Sequence, residues 1–146
     1  MKQLFSLLVF VVLTISAAAQ SETFATKAGA IDGYDVVSYF TESKPVVGKK
    51  ENAYVWEGET WLFSSTNNLE AFKSDPDKYA PQFGGYCAYG VADGHKAKID
   101  PQAWTILNGK LYLNYNKEVH KLWNKDQQNF IEQATKKWPE VKKEKF

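Results

Sequence analysis

The sequence predicts a small single α+β domain: two β-hairpins forming an antiparallel sheet, with short helices and a long C-terminal amphipathic helix. Asn108-Gly109 stands between two alternating apolar runs, Trp104 to Leu107 and Lys110 to Asn114. Both central residues tolerate positive φ, so the pair favours a type I′ turn joining two strands. Glu57-Gly58-Glu59 separates Ala53 to Trp56 from Thr60 to Phe63, a second pair of β-branched and aromatic runs about a Gly-containing turn. From Asn116 onward Val119, Leu122, Trp123, Phe130, Ile131, Ala134 and Trp138 recur at three- and four-residue spacing, one apolar helical stripe. A chain of 146 residues holds one domain of ordinary size.

In chain order, residues 1–19 read as a secretory signal. Lys2 gives a positive start, Leu4 to Ile15 an apolar middle, and Ala17-Ala18-Ala19 a small-x-small end, so cleavage is expected after Ala19. The apolar run is shorter than the ~20 residues that span a bilayer, which makes a retained anchor the weaker alternative. The mature protein is expected to be exported, to a periplasm or the extracellular medium, with no membrane span left. Residues 20–29 are polar and small, a flexible lead-in. Ile31 to Phe40 is a compact apolar segment where Asp35 would cap a single helical turn, a strand being the alternative. Residues 41–51, with Pro45 and Gly48, read as loop. Ser65, Thr66 and Asn67 offer N-caps for a short helix with Leu69, Ala71 and Phe72 on its apolar face, ending at Asp75-Pro76. Asp77 to Pro81 reads as a turn, Gln82 to Ala92 is rich in Gly and aromatics, and His95 to Pro101 continues as a loop. Asn116 caps the last helix and Pro139 ends it. The domain is expected at 30–138, and 139–146 as a basic tail whose lysines complement the helix's negative end.

Composition excludes several functions. Eighteen Lys face seventeen acids, and Arg is absent. Without the first nineteen residues, which hold one Lys and no acid, the charge is balanced. A general nucleic-acid binder needs a positive footprint that this chain lacks. Without Arg there is no planar fork for phosphate or carboxylate. Aromatics at 15%, with five Trp, supply a core and argue against disorder. Cys87 is the single cysteine, so no intramolecular disulfide forms and the fold rests on its core.

Gly33-Tyr-Asp-Val-Val-Ser-Tyr-Phe40, Thr60-Trp-Leu-Phe-Ser-Ser65, Phe72-x-x-Asp75-Pro76-x-x-Tyr79 and Gly84-Gly-Tyr-Cys-Ala88 resemble the YHS domain family. The chain is most similar to its exported single-domain group, the YHS domain-containing (seleno)proteins. The resemblance continues through Lys98-Ile-Asp-Pro101, Trp104 and Leu111 to Tyr115 and spans Ala30 to Trp138. It implies a metal-associated module, since YHS domains accompany copper transporters and metal-dependent oxygenases. The family pattern carries a Cys in its first segment and another in Phe-Cys-Ser, where this chain has Ser38 and Ser64. Neither serine suits a soft or borderline metal. Relatives in this group can carry selenocysteine in the Gly-Gly-Tyr-Cys segment, which implies thiol chemistry or soft-metal binding at Cys87.

Cys87 follows two glycines and would sit in the first turn of a helix, where backbone N–H groups favour thiolate. The alternative is a small buried hydrophobe among Phe83, Tyr86 and Tyr89. His95 is the nearest imidazole; a loop returning it to Cys87 would make a Cys–His pair for one copper or zinc ion, or for thiolate activation. Its alternative is a solvated loop histidine, and His120 reads as surface. Asp35 and Asp100 read as turn caps beside Gly and Pro. Three functions follow: metal binding through Cys87 and His95, copper before zinc; a thiol-redox enzyme or sensor using Cys87 with a redox partner protein; or a non-catalytic interaction module. The five tryptophans read as core, with a pocket for a flat ligand as the alternative.

Overall fold

The computed structural model describes residues 21–146. The expected signal, and Gln20, fall outside that range. The described chain is α+β, with three two-stranded antiparallel sheets and several helices.

The first strands, β1 (Ala25–Thr26) and β2 (Gly29–Ala30), make a tiny hairpin in the stretch read as a flexible lead-in. That reading is corrected from Ser21 onward. Phe24 is buried, its N–H donates to the Gly84 carbonyl at 2.8 Å, and its own carbonyl accepts from Ile31 N–H at 2.9 Å. One aromatic anchor and two backbone bonds fix a segment whose composition alone reads as loose.

A 3-10 turn at Ile31–Gly33 leads into α1 (Ser38–Thr41); its N-cap is Val37, and Asp35 Oδ1 accepts from the N–H groups of Val37 and Ser38 in the turn just before it. The two expected hairpins then appear as β3 (Lys49–Trp56) with β4 (Glu59–Phe63), and β5 (Asp100–Leu107) with β6 (Lys110–Asn114). Leu107 pairs with Lys110 across Asn108-Gly109, both at positive φ, which is the type I′ geometry. Each hairpin is a sheet of its own and the two do not join. Helical segments separate them: α2 (Thr66–Ser74), α3 (Pro76–Tyr79), a 3-10 turn at Gln82–Gly85, and α4 (Ala88–Asp93). Ser65 caps α2 by accepting from Asn68 N–H. The expected turn after Asp75 is a helical one, because Asp75 caps it and Pro76 occupies the first position, where no N–H is needed.

The long C-terminal amphipathic helix is present as α6 (Gln127–Val141), but the stripe from Asn116 to Trp123 forms a separate helix, α5 (Lys117–Trp123). Asn116 caps α5 as expected, and Asp126 caps α6 by accepting from Asn129 N–H. The apolar stripe resumes in phase at Phe130, seven residues after Trp123, so its period hides the break in the polar stretch 124–129. Pro139 does not end α6; it sits in the last turn, and the helix runs two residues further. The tail is likewise anchored: Lys96 Nζ donates to the Glu144 carbonyl at 2.7 Å, and Phe146 meets Phe24 and Tyr86 edge-on.

Strand β6 is buried on both faces. Leu111 and Leu113 face the main core, which includes Val37, Tyr39, Phe63, Phe72 and Val91. Tyr112 faces a second cluster with Ala88 and Trp123. This alternation places Asn114, on the Tyr112 face, next to the start of α4.

Candidate functional site

Cys87 is the N-cap of α4, as its glycine-preceded position suggested. It is 1% exposed. Its S–H donates to Asn114 Oδ1 at 3.6 Å, and Sγ accepts from Gly90 N–H at 3.4 Å. Burial pushes the thiol up from its ordinary value, against the backbone N–H groups of Gly90, Tyr115 and Tyr89, which pull the other way. The expected low-pKa thiolate is therefore corrected: desolvation outweighs the N–H groups, and the resting group is a hydrogen-bonded thiol. Asn114 Nδ2, on the same side chain, is buried with no acceptor among the described residues.

His95 lies on the loop after α4 with its side chain 54% exposed, Nδ1 standing 3.5 Å from Asp93 Oδ2. The structure brings His95 and Cys87 each next to one residue, Gly90. Its N–H binds Sγ, and a Cβ built on it would lie 3.5 Å from His95 Nε2. The donor set still does not fit a resident metal ion. It offers a protonated, bonded thiol and one exposed imidazole, and no group of three His, Cys, Asp or Glu among the described residues could hold an ion.

The two serines at the family's cysteine positions turn inward to Asp35, which is fully buried. Asp35 Oδ1 accepts from the N–H groups of Val37 and Ser38, at 2.9 and 3.3 Å. Oδ2 accepts from Ser64 N–H at 2.8 Å, Ser64 O–H at 2.6 Å and Asn68 Nδ2 at 2.7 Å. Ser38 Oγ donates to the Asp35 carbonyl at 2.6 Å. The carboxylate is saturated by donors belonging to α1, the end of β4 and α2, so the cluster is a lock between elements and holds no vacant ligand position. The Asp35 turn cap was legible; its partners 29 and 33 residues away were not.

His120 departs from its surface reading. It is half-buried on α5, with Nε2 2.6 Å from Thr105 Oγ1 and its ring stacked on Trp123. Burial lowers its pKa.

Sequence reasoning missed a groove of about 690 Å³, within the range of small-ligand sites. It is lined by the β3–β4 hairpin near its turn (Trp56, Glu57, Trp61), by Asp77 on α3, by Phe83, and by Glu22 and Trp138 from near the two ends of the described chain. Trp61 Nε1 donates to the Trp56 carbonyl at 3.0 Å, and Trp138 packs edge-on against Phe83 at 6.1 Å. The rings are held in place by neighbours. The sequence signal was the excess of tryptophan, read as core with a pocket for a flat ligand as the alternative. Trp123 is core, Trp61 is buried yet lines the groove, and Trp56 and Trp138 are half-buried and reach it.

Comparison with protein families matches the YHS domain model over residues 37–83. No curated protein and no solved structure matches the chain. The family is associated with metal binding, yet the matched stretch contains neither Cys nor His; Cys87 and His95 both lie beyond it. The match does contain Asp35's partners Ser64 and Asn68 and most of the groove lining, from Trp56 to Phe83. The chain thus carries a YHS domain, at residues 37–83.

Proposed function

We propose that the chain is a non-catalytic binding module whose ligand occupies the groove at Trp56, Phe83 and Trp138. One observation carries this reading: the YHS stretch builds most of a groove with pre-positioned aromatic rings, while it contains neither Cys nor His. Cys87, the candidate thiol, is buried at the start of α4, and that burial disfavours its thiolate. Export to a periplasm or the extracellular medium belongs to the same proposal and rests on the pattern of residues 1–19. No helix among the described residues is long and apolar enough to cross a membrane.

A second reading keeps Cys87 as a metal ligand or redox thiol, with His95 as its partner. It is favoured by the placement of both around Gly90 and by the unpartnered Asn114 amide beside the sulfur. It requires the thiol to lose its proton against burial.

One set of samples tests both readings. Ligand-observed NMR of small aromatic and amine compounds against the wild type, Trp138→Leu and Cys87→Ser should find binders lost in Trp138→Leu and kept in Cys87→Ser. Elemental analysis of the same proteins, prepared from their native compartment, should show no stoichiometric copper or zinc. Near-stoichiometric metal that disappears in Cys87→Ser would overturn the groove reading in favour of the metal site.

A further inference from the structure

We infer that the groove selects an organic cation, an ammonium group carried on an apolar frame; this deepens the binding-module reading and rests on it. The chain as a whole balances its charges, but the groove does not. Its lining includes Glu22, Glu57 and Asp77 and no Lys. Glu22 is paired with Lys142 at 3.2 Å, whereas Glu57 and Asp77 have no ion pair among the described residues. These two carboxylates share the groove with the indoles of Trp56 and Trp138 and the phenyl ring of Phe83. A cation over an aromatic face is attracted by the ring quadrupole, most strongly over Trp, and a nearby carboxylate adds a Coulombic component.

Other ligand classes fit less well. An anion meets two uncompensated carboxylates and no Arg. A bare divalent ion needs several convergent hard oxygens, and no such group of three acids or imidazoles is present among the described residues. A neutral apolar ligand would use the rings and leave the carboxylates without a role. An alkylated ammonium uses both, because its charge is spread over methyl groups that also contact the rings.

Choline and its uncharged isostere 3,3-dimethyl-1-butanol separate charge from shape, and titration calorimetry reads both. Choline should bind, and the isostere should bind between about threefold and thirtyfold more weakly, the range a cation–π contact gives. Glu57→Gln and Asp77→Asn, both at exposed positions, should each weaken choline by roughly two- to fivefold. The loss should shrink as salt is raised, with circular dichroism showing the fold unchanged. Equal affinity for choline and the isostere would overturn the cation and leave the groove as a binding site. Choline binding that is unaffected by the double carboxylate variant would do the same. Failure of both probes to bind at ~10 mM would overturn the cation and the binding-module reading together.

Discussion

His120 holds its ring against the β5–β6 hairpin, where Thr105 Oγ1 lies 2.6 Å from Nε2 and Trp123 stacks on one face. Burial lowers its pKa below the ordinary value of 6.5, so the folded protein keeps the imidazole neutral. As pH falls through the unfolded value, the unfolded chain takes up a proton that the folded one resists. Stability is present above that window and declines below it. Urea denaturation at pH 7.5 and 5.5 should show this decline in the wild type and a smaller one in His120→Gln; equal declines would remove the assignment to His120. Cys87 shows the same physics with the opposite charge type, since burial favours its uncharged thiol. In both cases the sequence identified a titratable residue and its neighbours in the chain. Burial depends on strands and helices folded over each residue from elsewhere, so the sequence left it an open alternative at Cys87 and read His120 as surface.

Elements were legible where a local signal was complete. Asn108-Gly109 specified its turn through backbone conformation, Asp35 specified the turn before α1, and Ser65 and Asn116 specified helix starts through caps. Gly109 has φ +73° and nothing within 4 Å of the place a Cβ would occupy, so substitution there changes backbone preference alone. Gly109→Ala should cost about 1 kcal/mol in urea denaturation, close to the left-handed penalty for an L-residue. The helices after Asn116 were only half legible. Residues 124–129 are all polar, but the stripe resumes in phase at Phe130, seven residues after Trp123, and the break depends on Asp126 turning its carboxylate back to Asn129 N–H. Pro139 misled for a related reason: only one intrahelical N–H is lost near the end of α6, and packing of Val141, 3% exposed, carries the helix past it.

At the scale of the whole molecule, the fold class and the YHS stretch were legible and the groove was not. Its lining runs from Glu22 to Trp138, so only tertiary structure assembles it. Gly84 is the junction: a Cβ there would collide with the Glu22 carbonyl and come within 3.3 Å of the Trp138 ring. Gly84 also has φ +62°. Gly84→Ala therefore combines backbone strain with a clash, and should cost at least ~2 kcal/mol, more than Gly109→Ala measured beside it. It should also weaken groove ligands, by displacing Glu22 and Trp138 together; an equal cost at the two glycines would mean that the N-terminal segment yields freely. The paired indoles of the β3–β4 hairpin have an optical consequence. Trp56 and Trp61 lie with ring centroids 5.6 Å apart and planes at 64°, close enough and skewed enough for their electronic transitions to couple. The far-ultraviolet circular dichroism of this protein should carry an exciton couplet superimposed on its helix signal. Helix content read from that spectrum without correction would be wrong, and the couplet itself would report whether the groove wall is assembled.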